Sequence, residues 1–249
     1  MKVSSKFKSI VSGLLVVGSL TMVSLSSSAN NTPVEMYGAL EVKKGTLVDR
    51  NNDPVQLRGM SLFWSQWGGH FYNKLVVKKL TDDWNISVIR AAIAAEKGGY
   101  NSNPQGELDK VDIIVKAAVE NGIYVILDWH SHEAQENTEN AIEFFETVAT
   151  KYGHLPNVIY EIYNEPDYES WDEDIKPYAE VVIEKIRAID ADNLIIVGTP
   201  TWSQRVDQAA NNPLKGKNIA YTIHFYAGTH GQNIRDNVTY ALEKGMAIF

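Results

Sequence analysis

The chain has no cysteine, which excludes disulfide staples and thiolate metal sites and leaves stability to the packed core. Basic residues are scarce: 23 Lys and Arg face 31 Asp and Glu, a net charge of −8. An acidic surface argues against nucleic acid or anionic lipid as the partner. It suits a neutral or cationic substrate. No Gly-rich phosphate loop follows the first apolar run. Gly59 stands alone, and Gly68-Gly69 does not open a strand-to-helix unit, which speaks against a dinucleotide-binding fold.

What is present begins with an N-terminal address. Lys2, Lys6 and Lys8 precede an apolar stretch from Ile10 to Leu25, and Ser27-Ser-Ala29 offers small residues for cleavage. This pattern predicts a secretory signal peptide over 1–29, removed after Ala29, and an extracellular protein. A membrane anchor is the competing reading, but Gly13, Gly18 and several serines weaken the apolar run, and it falls short of a comfortable span. Residues 30–249 then form one domain, and loss of three lysines takes the net charge from −8 to −11.

Beyond residue 34 no low-complexity linker interrupts the chain. Gly38 to Gln56 reads as a hairpin turning at Arg50-Asn-Asn-Asp-Pro54. After it, short β-rich runs alternate with amphipathic helices. The runs are Val55–Phe63, Ile86–Ala94, Tyr124–Ser131, Val158–Glu165, Leu194–Pro200 and Ile219–Tyr226. The helices include 107–121, 141–152, 175–190 and 234–244, and a further one ends at Trp84. Such spacing predicts βαβ crossovers and a parallel sheet. Polar residues gather at the C-terminal ends of several strands, which favours an α/β fold of the (β/α)8 TIM-barrel type over a doubly wound sheet. Gly245-Met-Ala-Ile-Phe249 reads as the start of strand seven, so the barrel is expected to be truncated there with strand eight missing, and the chain to be a fragment.

Alternate strand residues share a face. On that rule Ile86, Val88 and Arg90 point together, as do Tyr124, Ile126, Asp128 and His130. Glu161, Tyr163 and Glu165 form a third set, and Thr222, His224 and Tyr226 a fourth. Each polar set can end at one rim. Asn164 has the wrong parity and needs a bulge or bend to join them. Pro166 holds Glu165 extended at a strand end, and an apolar rim is expected to raise its pKa toward neutrality.

Val88-Ile-Arg90, Leu127-Asp-Trp-His-Ser-His132, Ile162-Tyr-Asn-Glu-Pro166 and Thr222-Ile-His-Phe-Tyr226 resemble the successive strand-end motifs of family 5 glycoside hydrolases. The wording is closest to the bacterial endo-β-1,4-glucanases. The resemblance implies retaining hydrolysis of internal β-1,4-glucosidic bonds in cellulose or soluble β-glucan. It makes Glu165 the acid/base and Asn164 the partner of the sugar 2-hydroxyl. Arg90 would orient the nucleophilic carboxylate, His130, His224 and Tyr226 would line the cleavage point, and Trp67 and Trp202 would stack on sugar rings. It also places the nucleophilic Glu on strand seven, just past Phe249, so this chain is expected to lack it and to be inactive alone. Where the family often carries a His after strand one, this sequence reads Ser61-Leu-Phe-Trp64.

Plainer readings stand beside these. Arg90 and Glu161 can form a buried ion pair, His224 can be a satisfied core residue, and His132 points away from His130 by parity, toward support or surface. His130-Ser-His132 could hold a metal, but its rings face opposite sides and only His224 is a further ligand, so neither metal nor cofactor is expected. Trp84 reads as packing, Trp129 as lying under a helix, while Trp64 and Trp171 stay open. A β-mannanase or other β-glycanase on the same frame is the alternative activity. A carbohydrate-binding relic without turnover is the alternative class, and a monomer is the expected state.

Overall fold

A computed structural model describes residues 31–249; the expected signal peptide lies outside the described residues. The sheet is built from six short strands in sequential order, all parallel: β3 (Gly59–Ser61), β4 (Val88–Ala94), β5 (Tyr124–His130), β6 (Val158–Glu161), β7 (Ile195–Val197) and β8 (Ile219–Tyr221). Beyond β8 the chain end pairs again, Ile248 bridging Tyr221 in parallel. Phe249 N–H donates to Tyr221 O at 2.9 Å, and Ile223 N–H donates to Phe249 O at 3.1 Å. The expected opening of a seventh barrel strand is therefore present. Before the sheet, β1 (Glu41–Lys43) and β2 (Thr46–Val48) form an antiparallel hairpin.

That hairpin turns at Lys44-Gly45, not at 50–54. Both residues have positive φ, 50° and 76°, the conformation that lets a two-residue turn follow the right-handed strand twist. The Arg50–Pro54 stretch is a second, later turn, held by Asp49 Oδ1 accepting from the Asn51 and Asp53 N–H groups.

The helices are α1 (Pro33–Tyr37), α2 (Ser65–Gly68), α3 (Lys74–Trp84), α4 (Pro104–Glu120), α5 (Thr138–Tyr152), α6 (Lys176–Arg187), the short turn α7 (Pro200–Ser203), α8 (Val206–Asn211) and α9 (Gln232–Glu243), the longer ones packed on the outside of the sheet. None of the described helices is long and apolar enough to cross a membrane. Because strand side chains alternate, two cores result. Ile89, Ala91, Ile93, Val125, Leu127, Trp129 and Tyr160 face the helices. Val88, Tyr124, Ile126, Ile159, Ile196 and Ala220 fill the barrel interior.

The N-terminal segment plugs the strand starts. Tyr124 Oη donates to Gly38 O at 2.6 Å, Asn218 Nδ2 donates to Leu40 O at 2.9 Å, and Val34, Tyr37, Val42 and Leu47 pack on the interior core. With that end closed by apolar side chains, the polar residues are left at the opposite, C-terminal ends of the strands.

The strands are shorter than the β-rich runs suggested. β6 stops at Glu161, four residues before Glu165, and β8 stops at Tyr221. Trp129 lies fully buried against Tyr100 and Phe144, both with ring centroids at 5.4 Å. Trp171 is buried, its Nε1–H donating to Asn212 O. Trp84 corrects the packing expectation: it is 65% exposed at the end of α3.

Candidate active site

The site starts with Arg90. The register sets Asp128 beside Glu161 and Arg90 two residues lower, beside Ile126, so the long guanidinium reaches upward across β5. Its Nε and one terminal nitrogen donate to the two Glu161 oxygens at 2.6 and 3.0 Å. The same nitrogen lies 2.9 Å from Asp128 Oδ2 and donates to Asn164 Oδ1 at 2.9 Å. The ion pair read as an alternative is thus present, but β5 lies between the two partners' strands. Asp128 and Glu161 are almost wholly enclosed. Burial pushes the Asp128 carboxyl up to about 7 and raises Glu161 as well, with Arg90 opposing both. His130 Nδ1–H donates to Asp128 Oδ2 at 2.5 Å, and burial holds its pKa well below the usual value, so the imidazole is neutral.

Asn164 and Glu165 enter the site because pairing stops. After Glu161 the chain leaves strand geometry, which supplies the bend that Asn164 required. The same bend turns Tyr163 out of the inward set predicted for it. Its ring packs on Tyr178 of α6 at 5.4 Å, and its hydroxyl donates to His132 O at 2.9 Å. Asn164 is 2% exposed, and its amide nitrogen has no protein partner. A buried N–H without an acceptor costs about 1–3 kcal/mol, a cost the fold carries at this position.

Glu165 sits at the rim. His224 Nδ1–H donates to Glu165 Oε1 at 2.7 Å. Burial pushes the Glu165 carboxyl up, but the His224 hydrogen bond and charge, with a smaller contribution from His132, outweigh it, and the net pKa lies below the usual value. This corrects the expected rise: imidazoles, His224 foremost, reach the carboxyl and offset its burial.

The cleft beside Glu165 is lined by Trp202, Gln204, His224, Phe225, Tyr226 and His230. Tyr226 is largely exposed, its N–H donating to His230 Nδ1 at 2.9 Å. Trp202 reaches the cleft through a feature that sequence reasoning missed. Thr201, Trp202 and Ser203 have φ of 59°, 53° and 56°, three consecutive left-handed residues, each costing roughly 1–2 kcal/mol relative to the right-handed form. Hydrogen bonds hold them, among them Trp202 N–H to Pro166 O (2.7 Å), Ser203 Oγ to Asn164 O (2.8 Å), His224 N–H to Ser203 O (2.8 Å) and Thr199 N–H to Ser203 Oγ (3.2 Å). The strain is kept in place by the segment carrying Asn164 and Pro166 and by the backbone of His224. A Cβ on Gly198 would lie 2.4 Å from Tyr163 O, so only glycine permits this close approach.

On the other side Trp67 is 57% exposed, with Phe63 and Trp64 rings at 6.3 and 5.4 Å. Trp64, left open by the sequence, stands edge-on to His130 at 4.1 Å and tilted to His132 at 5.6 Å. Among the described residues no cluster of His, Asp or Glu has metal-binding geometry.

This arrangement has relatives. Residues 48–249 match the family model described as Cellulase (glycosyl hydrolase family 5). Endoglucanase Z of Dickeya dadantii is 56% identical over 195 residues, covering 77% of this chain and 46% of the relative. An endoglucanase of Clostridium saccharobutylicum is 47% identical over 250 residues, 98% of this chain and 56% of the relative. The chain therefore spans about half the length of these curated relatives. The catalytic domain of Thermobifida fusca endoglucanase Cel5A, solved as a variant in complex with cellotetraose, superposes with a TM-score of 0.83 at 37% identity, covering 88% of this chain and 74% of that one. With its parallel barrel strands in sequential order and its polar groups at their C-terminal ends, the chain belongs to the cellulase family, glycosyl hydrolase family 5.

Proposed function

We propose that the protein is a secreted endo-β-1,4-glucanase that cleaves internal bonds of cellulose or soluble β-glucan with retention, and that residues 31–249 supply the acid/base half of its site. The observation that carries this is the pairing, on one rim, of Glu165 with an adjacent Asn164 amide nitrogen that is buried and unspent. In the first step Glu165, protonated, gives its proton to the leaving glycosidic oxygen while a carboxylate nucleophile bonds to the anomeric carbon. In the second it takes a proton from the water that frees the sugar. Asn164 Nδ2–H fits the 2-hydroxyl oxygen. Trp67 and Trp202 supply apolar faces on either side of the rim.

The second carboxylate belongs about 5–5.5 Å from the first in a retaining enzyme. Asp128 and Glu161 are poor candidates, because both are enclosed and bound to Arg90. We assign the nucleophile to sequence following Phe249, on the strand that Ile248 begins. Its negative charge would raise the Glu165 pKa from its present low value and let the residue act as an acid. Arg90 would reach it from below. Reading the coding region past the Phe249 codon tests this assignment. A Glu codon within the next few positions is expected, and an immediate stop codon would overturn the assignment and favour a binding relic.

The glucan preference rests on the endoglucanase names of the relatives and on the cellotetraose bound to the Thermobifida fusca domain. Hydrolysis of carboxymethyl cellulose and lichenan, with galactomannan left intact, is the expected profile. Preferential cleavage of galactomannan would instead make the protein a β-mannanase. The protein is expected to act as a monomer.

A further inference from the structure

The bond that fixes Glu165 from behind comes from a side chain outside the reacting set. His132 lies two residues past β5, and its Nδ1–H donates to the Glu165 carbonyl oxygen at 2.9 Å. That oxygen belongs to the Glu165–Pro166 peptide, so the bond holds the peptide plane from which the Glu165 side chain springs. The contact is reinforced from both strands. Glu165 N–H donates to Ser131 O at 3.3 Å, and Tyr163 Oη donates to His132 O at 2.9 Å. Ser131 is itself pinned, its Oγ donating to Glu96 Oε1 at 2.5 Å. The His132 ring also stands against Trp64, which meets His130 as well. One indole therefore touches both histidines. His130 turns down to Asp128, while His132 turns across to the Glu165 main chain.

We infer that His132 is a positioning residue that aims the Glu165 carboxyl at the leaving-group oxygen through its hydrogen bond to the Glu165 carbonyl. The inference rests on the acid/base role proposed above. Proton transfer depends on placement to within a fraction of an ångström, and a misplacement of about 1 Å costs on the order of a hundredfold in rate. The effect of losing the bond should appear only where the leaving group needs a proton.

The test uses the full-length protein and two substrates. Cellotetraose has a poor leaving group that needs the acid, whereas 2,4-dinitrophenyl β-cellobioside has one that departs unprotonated. Asn places an amide N–H where the imidazole Nδ1–H stands, Gln places it one atom further out, and Leu offers none. For His132→Leu and His132→Gln, kcat/KM on cellotetraose is expected to fall about tenfold to a hundredfold, with kcat/KM on the dinitrophenyl substrate unchanged. His132→Asn is expected to recover most of the loss. Equal losses on both substrates would reveal a merely structural role and overturn the inference, as would no loss on either or equal behaviour of the Asn and Gln variants. Glu165→Gln, assayed alongside, separates the two levels. If it keeps full hydrolysis of cellotetraose, the acid/base reading itself has failed. If it abolishes hydrolysis while the His132 series is flat, only the positioning role has.

Discussion

The two sides of the site are built on opposite plans. Around Arg90, the groups from β4, β5 and the end of β6 are enclosed and bonded to one another: Asp128 and Glu161 are 0% and 2% exposed. Around Tyr226, past β8, the groups are open: Phe225 and Tyr226 are 58% and 77% exposed, and the cleft begins there. His224 joins the halves through Glu165. The difference teaches how the work is divided. On the reading above, the closed side fixes geometry and charge before substrate arrives, and the open side is where substrate and the nucleophile strand meet Glu165.

Changes on the closed side should cost folding. Arg90→Ala leaves two buried carboxylates without their cation, and breaking a buried pair in this way costs about 3–5 kcal/mol. A drop of that size in urea-unfolding stability at pH 7 is expected, and it should shrink at acidic pH as Asp128 and Glu161 take up protons. Gly198→Ala forces a Cβ onto the Tyr163 carbonyl and should cost about 1–3 kcal/mol, with activity falling further than stability because Asn164 moves too. Equal tolerance of Ala at 198 would show that the close approach is unnecessary.

Changes on the open side should cost the fold little. Trp202→Ala removes one aromatic face and is expected to weaken cellotetraose binding by about 0.5–1.5 kcal/mol by calorimetry, while relieving some strain in the left-handed turn. The smallest effect belongs to His224→Ala. Glu165 loses the hydrogen bond and charge that lower its pKa, so its carboxyl titration, followed by carbon NMR, should move upward. The sign is fixed: a carboxyl held below its unfolded value stabilises the fold above that value and loses the contribution as pH falls through the folded pKa. His224→Ala therefore removes stability near neutrality and none in strong acid.

Much of the closed side was legible in the sequence because it follows strand parity. Arg90, Asp128, His130 and Glu161 lie on regular strands, and alternate residues there can only face one way. Parity failed where strands ended. Tyr163 was expected inward and packs on α6, because β6 stops at Glu161 and the bend that admits Asn164 rotates the residue before it. Run length overstated β6 and β8, since apolar and aromatic residues continue into loops that pack but do not pair. The left-handed turn at 201–203 has no signal in Thr-Trp-Ser, residues that rarely adopt that backbone; contacts with Pro166, Asn164, Thr199 and His224 hold it. The Glu165 pKa was misjudged for a related reason, since His132 and His224 reach it from distant positions. Gly198, after an apolar run and before Thr199-Pro200, was the one available hint that two backbones meet.

The central claim is that Glu165 is the proton donor and acceptor at the cleaved bond, and leaving-group dependence in Glu165→Gln of the full-length protein tests it most directly. The account predicts that kcat/KM on cellotetraose falls by about 10²–10⁴, that kcat/KM on 2,4-dinitrophenyl β-cellobioside is retained, and that azide, a nucleophile needing no base, restores turnover of the latter. Equal loss on both substrates without azide rescue, or undiminished hydrolysis of cellotetraose, would contradict it.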